Sequence, residues 1–324
     1  REIEDFIQEE YWSIEAELKP DQAKKTYIAK LVRINGEEPV LSNKETAHSY
    51  LEDLENADYR ISKVKRGERK KYAPAPFITS TLQQEASRRL GFTARRTMAL
   101  AQQLYEGLDV GEGGSTGLIT YMRTDSTNIS EIAQKEARDL IRSKYGKDYL
   151  PKTPPKYKTK VAKAQEAHEA IRPTSALRPP EEIKKFVKGD QFKLYQLIWK
   201  RFIASQMEAA VYDTISVEVD GQGEVNQYEL RASGSILKFT GFLVVYEEAK
   251  DEDKTNGNDM GVIFPSNIAD GQKQELIRLI PEQHFTTPPP RYTEASLVQV
   301  LEENGIGRPS TYAPILSTIQ ERGY

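Results

Sequence analysis

Residues Pro74 to Phe92 read PAPFITSTLQQEASRRLGF. Pro74-Ala75-Pro76 interrupts regular structure, because proline fixes φ and carries no backbone donor. The hydrophobic period then changes. From Ser80 to Leu90 (STLQQEASRRL) and from Arg95 to Glu106 (RRTMALAQQLYE) apolar residues recur at helical spacing. Ser80 is placed to cap the first of these helices. What precedes the break is mostly strand. Tyr11 to Glu17 and Thr26 to Ile34 (TYIAKLVRI) are strand-like, and Asn35-Gly36 is a strong hairpin-turn signal. Tyr59 to Val64 alternates again. Arg1 to Ile7 reads as the end of a helix, and Lys44 to Leu54 as a short helix.

Downstream, a glycine-rich loop (GLDVGEGGSTG) leads into Leu118 to Arg123. Ser130 can cap a helix running to Tyr145, and a Pro/Lys-rich connection spans Pro151 to Lys160. Further helices fit Glu181 to Val187 and Lys193 to Gln206. Strands return at Val211 to Val219, Gln227 to Ala232 and Leu237 to Tyr246. Lys250 to Asn258 reads as a polar loop, and Pro288-Pro289-Pro290 marks a junction. Thr293 to Asn304 and Pro309 to Gln320 read as helices. The order β, α, β, α predicts a multidomain α+β protein: a discontinuous β-rich domain (18–78 and 209–280) with a mainly helical domain (79–208) inserted in it. Residues 1–17 and 281–324 are then expected to belong to a flanking helical domain. No internal repeat is visible.

Composition sets limits. A length of 324 residues suits two or three domains. An apolar fraction of 38% and a charged fraction of 29% suit a globular protein. No run of apolar residues is long enough for a transmembrane helix, and no apolar N-terminal segment resembles a secretory signal. The absence of cysteine excludes disulfides, a thiol nucleophile and thiolate zinc sites in this sequence. It fits a cytosolic protein. The sequence starts at Arg1 and stops at Tyr324 in mid-pattern, and it is read as a piece of something longer.

A net charge of -3 does not by itself announce a nucleic-acid binder. Local charge says more. Arg60 to Lys71 (RISKVKRGERKK) carries seven basic residues and one acidic one, and Lys152 to Lys163 (KTPPKYKTKVAK) carries no carboxylate. Such runs can neutralise phosphates, or can simply be a solvated hairpin and a solvated linker.

The chemistry-bearing stretch is Gly117 to Ser130, GLITYMRTDSTNIS. A tyrosine can attack a phosphodiester if its phenol loses a proton as the bond forms. A guanidinium is always cationic and presents forked donors that match phosphate. On an extended segment Tyr121 and Arg123 point to the same face. From spacing alone, a buried tyrosine beside a surface arginine is the more ordinary reading. Asp125 is either an orienting partner for Arg123 or a turn residue.

These residues resemble a known signature. GLITYMRTDS is similar to the active-site motif of type IA DNA topoisomerases, and Met122 resembles the bacterial topoisomerase I branch rather than topoisomerase III proteins, which usually carry proline there. Four further segments resemble the same family in the same order: PAPFITSTLQQEASRRLGF (Pro74 to Phe92), QEAHEAIRPT (Gln165 to Thr174), RFIASQM (Arg201 to Met207) and RYTEASLVQVLEENGIGRPSTYAPILSTIQERGY (Arg291 to Tyr324).

The resemblance implies that Tyr121 forms a 5′-phosphotyrosyl intermediate and that Arg123 holds the scissile phosphate. It carries His168 to the cleavage site as an assistant; imidazole can hydrogen-bond or protonate a phosphate oxygen. On sequence alone a lone histidine in AHEAI is more often a packed or solvated helix residue. Arg172, one helical turn later if this segment is helical, is either a phosphate contact or the partner of Glu169. Gln83, with Thr79 and Ser80, either contacts the strand or caps and packs. Arg308, Ser310 and Thr311 sit where a glycine loop meets a helix start, where backbone N–H groups favour anions; Pro309 also fits an ordinary first helical position.

The family implies a β arch carrying the tyrosine domain, strand passage without ATP, and DNA as partner, mainly single-stranded or negatively supercoiled. It further implies a monomer in the cytoplasm, associated with the nucleoid. It also implies Mg²⁺ held by an acidic TOPRIM domain, which this sequence does not contain. No metal site is expected here: Asp251-Glu252-Asp253 lacks a further acidic partner. The stretch alone is therefore expected not to relax DNA. The alternative from another class is a noncatalytic single-stranded DNA clamp. A tyrosine recombinase, with dispersed Arg and His residues in another order and a 3′ linkage, fits less well.

Overall fold

The computed structural model describes residues 2–21, 24–111, 114–157, 168–249, 264–265 and 268–324. Among these the strands are β1 (Glu10–Pro20), β2 (Tyr27–Ile34), β3 (Asp58–Lys71), β4 (Leu108–Asp109), β5 (Ser115–Thr116), β6 (Ala210–Gln222), β7 (Gln227–Phe239) and β8 (Lys273–Phe285). The helices are α1 (Lys44–His48), α2 (Leu51–Glu55), α3 (Thr79–Leu90), α4 (Ala94–Glu106), α5 (Glu131–Lys144), α6 (Pro180–Ile183), α7 (Gly189–Ser205), α8 (Glu294–Glu303) and α9 (Tyr312–Glu321). The chain divides into two compact units.

The first unit takes the described residues of Arg1–Lys70, Val211–Phe239 and Asn256–Pro290. It is a closed antiparallel barrel with strand order β1-β2-β7-β6-β3-β8. Closure leaves no free sheet edge around the ring. The alternation that marks these strands in sequence fills the barrel. Ile14, Ala16 and Leu18 of β1 face inward beside Tyr27, Ala29 and Leu31 of β2 and Val217 and Val219 of β6. On β2 the buried positions then jump from Leu31 to Ile34, a change of parity at the register shift against β7. A bulge there turns Ile34 inward where strict alternation would have exposed it. Asn35 and Gly36 adopt positive φ (52° and 84°), and Ile34 and Glu37 exchange backbone hydrogen bonds across them. The turn is thus the one the dipeptide signals, but it closes a single bridge rather than a long hairpin.

Asp53 of α2 ties the β6–β7 turn to the barrel. One carboxylate oxygen accepts the N–H groups of Glu224 and Val225, and the other accepts Asn226 N–H, Asn226 Nδ2 and the Tyr228 hydroxyl. Desolvation alone would raise its pKa, but these donors outweigh it and hold the carboxyl down at about 2.

The second unit takes the described residues of Lys71–Ala210, Thr240–Thr255 and Arg291–Tyr324. Its centre is α7, which buries Leu194, Tyr195, Ile198, Trp199, Phe202 and Ile203. Such side chains each contribute roughly 1.5–3 kcal/mol on burial. The polar tips of the aromatics are satisfied: Tyr195 donates to Arg178 O at 2.7 Å and Trp199 to Ala176 O at 3.0 Å. Helices α8 and α9 close a smaller core of Ala94, Val298, Leu301, Tyr312 and Leu316. Glu294 accepts the Ala94 N–H at 2.6 Å, so the start of α8 anchors the start of α4. Arg201, 3% exposed, donates to Ala75 O, the Tyr246 hydroxyl and Glu248, and its guanidinium lies over Phe77.

Several expectations change. Residues 2–5 form turns rather than a helix end, and β1, including Tyr11 to Glu17, belongs to the barrel rather than to a flanking helical domain. Residues 281–285 likewise continue β8. Of the expected strand Leu237 to Tyr246 only the first three residues are extended, as the end of β7 at Phe239; Gly241–Val244 is a 3-10 turn. Strand β8 was not expected from the sequence. The short helix at Lys44 to Leu54 is split in two near Ser49 and Tyr50. Ser80 is not a cap; the N-cap of α3 is Ile78, whose N–H is taken by Thr81. Pro309 lies in a turn ahead of α9, not at its first position. The polar stretch Lys250 to Asn258 and Asp251-Glu252-Asp253 lie outside the described residues.

Candidate active site

The stretch Leu118 to Ser126 is clamped between α3 and the segment Ala170 to Thr174. On one side Thr79 makes three links. Its N–H donates to Thr124 O at 2.9 Å. Its hydroxyl accepts the Thr124 N–H at 2.9 Å and shares its own proton between Met122 O (2.7 Å) and Thr124 O (3.0 Å). On the other side Thr120 N–H donates to Arg172 O at 2.9 Å, the Thr120 hydroxyl donates to Ala170 O at 2.7 Å, and Thr174 N–H donates to Leu118 O at 3.0 Å. Bridges at Ile119–Pro173 and Phe77–Ile171 complete the clamp.

The consequence is alternation. Met122, Thr124 and Ser126 are buried, while Tyr121 and Arg123 are exposed. The expected period of two therefore holds on a segment that is pinned rather than paired in a sheet. Tyr121 is 39% exposed, which a core tyrosine would not be. Its ring meets His168 edge-on with centroids 6.1 Å apart. Tyr105, from the last turn of α4, meets the same ring edge-on at 5.4 Å. Among the described residues Arg123 has no hydrogen-bond or ion-pair partner, so its donors are available.

The remaining expected residues divide. Asp125 forms no ion pair with Arg123 among the described residues. It lies close enough to the α9 start for its charge to act on Tyr312, whose phenol is pushed up mainly by burial and by Glu302, then pulled back by Arg308. Arg308 and Ser310 are exposed, while the Thr311 hydroxyl accepts the Arg308 N–H at 2.8 Å. Arg172 is engaged locally: it binds Glu169 at 2.6 Å, Pro173 O at 2.9 Å and the Ser130 hydroxyl at 3.4 Å. It lies on an extended segment with His168, not on a helix, because Pro173 disfavours helix at Arg172 and Phe77 offers a backbone partner at Ile171. Gln83 is 1% exposed and its amide has no partner among the described residues; Ser80 beside it is also buried, its hydroxyl likewise unpaired among them.

The basic run of β3 is largely exposed, but Lys65 pairs with Glu218, Arg66 donates to Ile268 O and Arg69 stacks over Tyr212. Of the second run, Tyr157 donates to Ser205 O at 2.8 Å and burial pushes its phenol up to about 12; residues 158–163 lie outside the described part. No group of three or more His, Cys, Asp or Glu converges as a metal site requires, among the described residues. No helix of the described residues is long and apolar enough to cross a membrane. Sequence reasoning did not single out Thr120 and Tyr105 or foresee how Thr79 acts. Their contacts join residues far apart in the chain, and no local pattern announces them.

An outward tyrosine oxygen beside a histidine and an uncommitted arginine has the chemistry to bind and attack a phosphodiester. A family model described as DNA topoisomerase matches residues 1–324. The chain belongs to the DNA topoisomerase family, on its bacterial type IA branch. It is 49% identical, over its full length, to DNA topoisomerase 1 of Xylella fastidiosa strain Temecula1, and 48% identical to that of strain 9a5c. The chain spans 40% of the length of these relatives. It is also similar to the full-length topoisomerase I structure from Thermotoga maritima, with a TM-score of 0.78, 36% identity, and coverage of the whole chain and 49% of that structure.

Proposed function

We propose that this chain carries the nucleophile face of an enzyme that cuts one DNA strand through Tyr121 and rejoins it. The observation that carries the reading is the exposed Tyr121 ring against His168, with Arg123, unpartnered among the described residues, two positions on along the same outward face. The Tyr121 oxygen attacks phosphorus and forms a phosphotyrosyl bond to the 5′-phosphate end of the broken strand. The 3′ oxygen leaves and takes up one proton, matching the one the phenol loses. Arg123 binds the nonbridging oxygens as charge builds on them. His168 hydrogen-bonds the same phosphate. The ester conserves the phosphodiester energy, so religation by the 3′ hydroxyl needs no ATP.

In this reading Asp125, Arg308, Ser310 and Thr311 contact the flanking strand, and the barrel serves as the gate through which a second strand passes. The partner is DNA, single-stranded or negatively supercoiled, bound by a monomer in the cytoplasm at the nucleoid. In this reading Mg²⁺ is held in the intact enzyme by an acidic TOPRIM domain outside residues 1–324. The stretch alone therefore does not relax supercoiled DNA. The test is Tyr121→Phe in the intact enzyme. Covalent capture of a 3′-labelled single strand should vanish while strand binding persists. An intact enzyme that binds the strand but never captures it would favour the noncatalytic clamp instead.

A further inference from the structure

Two rings touch Tyr121, and the function above uses only His168. The other is Tyr105, whose edge-on contact at 5.4 Å and 67° is the closer of the two. Tyr105 is 41% exposed, and its hydroxyl has no hydrogen-bond partner among the described residues. Core packing therefore does not account for it.

Its backbone is nonetheless held tightly. Helix α4 ends at Gly107 with φ 108°, and the β4–β5 hairpin sends the chain back along the helix end. Leu118 N–H then donates to Leu104 O at 2.7 Å. A Cβ on Gly117 would lie 2.9 Å from the Tyr105 carbonyl oxygen, so the chain passes Tyr105 at a separation that glycine allows and other residues do not. The start of the GLITYMRTDS stretch is thereby fixed against the residue whose ring touches the nucleophile.

We propose that Tyr105 is a positioning residue for Tyr121: its edge contact confines the Tyr121 ring to the orientation that also keeps it against His168. Edge-to-face pairs of this kind have a preferred geometry as well as an attraction. A nucleophile on a pinned backbone still has a free ring torsion, and small losses of aim are costly in rate. This inference rests on Tyr121 being the nucleophile.

The test uses the intact enzyme with Tyr105→Leu and Tyr105→Phe. Single-turnover cleavage of a 3′-labelled single strand gives the rate at saturating strand, and its concentration dependence gives the affinity. Positioning predicts that Tyr105→Leu slows cleavage about three- to tenfold, the range of one aromatic pair, with affinity unchanged. Tyr105→Phe, which keeps the ring, restores the rate to within about twofold of the parent. If Leu at 105 does not fold, Tyr105→Gln answers the same question on this exposed helix surface. Weakened affinity with an unchanged cleavage rate would overturn the proposal and make Tyr105 a platform for a DNA base. No change in either quantity would also overturn it. Persistent capture by Tyr121→Phe would instead remove the nucleophile assignment, a separate failure.

Discussion

The Thr79 hydroxyl donates to the Met122 carbonyl at 2.7 Å, hanging the peptide between Tyr121 and Arg123 from the first residue of α3. Replacing Thr79 by valine keeps the shape but leaves the Thr124 N–H and the Met122 carbonyl without their buried partner. Stability should fall by about 1–3 kcal/mol, the cost of unsatisfied buried groups. Thr79→Ser should recover most of it. Urea unfolding of the two variants checks this; a Thr79→Val variant as stable as the parent would show that the hydroxyl does not matter.

Arg123 should matter for the chemical step more than for binding. Arg123→Ala is expected to slow cleavage by about 10²–10³, as loss of one oriented donor does elsewhere, with a much smaller change in strand affinity. Rapid-quench cleavage and equilibrium binding, measured on the same variant, separate the two. Equal losses would make Arg123 an anchor.

Asp53 gives the barrel an acid-sensitive tie. Its folded pKa, about 2, lies below its ordinary 3.8, so its contribution is fully present above the ordinary value and is lost as pH falls through the folded one. Between about pH 4 and pH 2 the parent should therefore lose stability more steeply than Asp53→Asn, which does not titrate there. At neutral pH Asp53→Ala should cost about 2 kcal/mol through the turn donors it strands. Parallel slopes of stability against pH in this window would exclude the assignment.

Arg201 and Glu85 share Tyr246, whose hydroxyl donates to Glu85 at 2.6 Å. Arg201→Ala should destabilise the helical unit by about 3–5 kcal/mol, because it leaves buried acceptors without their cation. Thermal unfolding followed by near-UV dichroism of the α7 tryptophan reports this; a loss under about 1 kcal/mol would mean that solvent replaces the guanidinium.

Much of this was legible from residue patterns. The period-two alternation of Ile14, Ala16 and Leu18 and of Tyr27, Ala29 and Leu31 marks strands because each fills one face of the barrel. The same period correctly puts Tyr121 and Arg123 on one exposed face. Strand β8 was hidden because Pro281 speaks against a central strand. Pro281 is tolerated where β8 pairs with β1 alone, since β3 meets β8 only near Lys273 and Gln274. The Thr79 clamp and the Tyr105 contact were illegible for another reason. Thr79 and Met122 are 43 residues apart, and nothing local records a hydrogen bond made across that distance.

The most direct test of the central claim is to locate the covalent link. The intact enzyme is mixed with a 3′-labelled single strand, stopped with denaturant and digested, and the DNA-bearing peptide is sequenced by mass spectrometry. The account predicts one adduct, on the Tyr121 oxygen and joined to a 5′ phosphate. An adduct on another residue, or one joined through a 3′ phosphate, would contradict it.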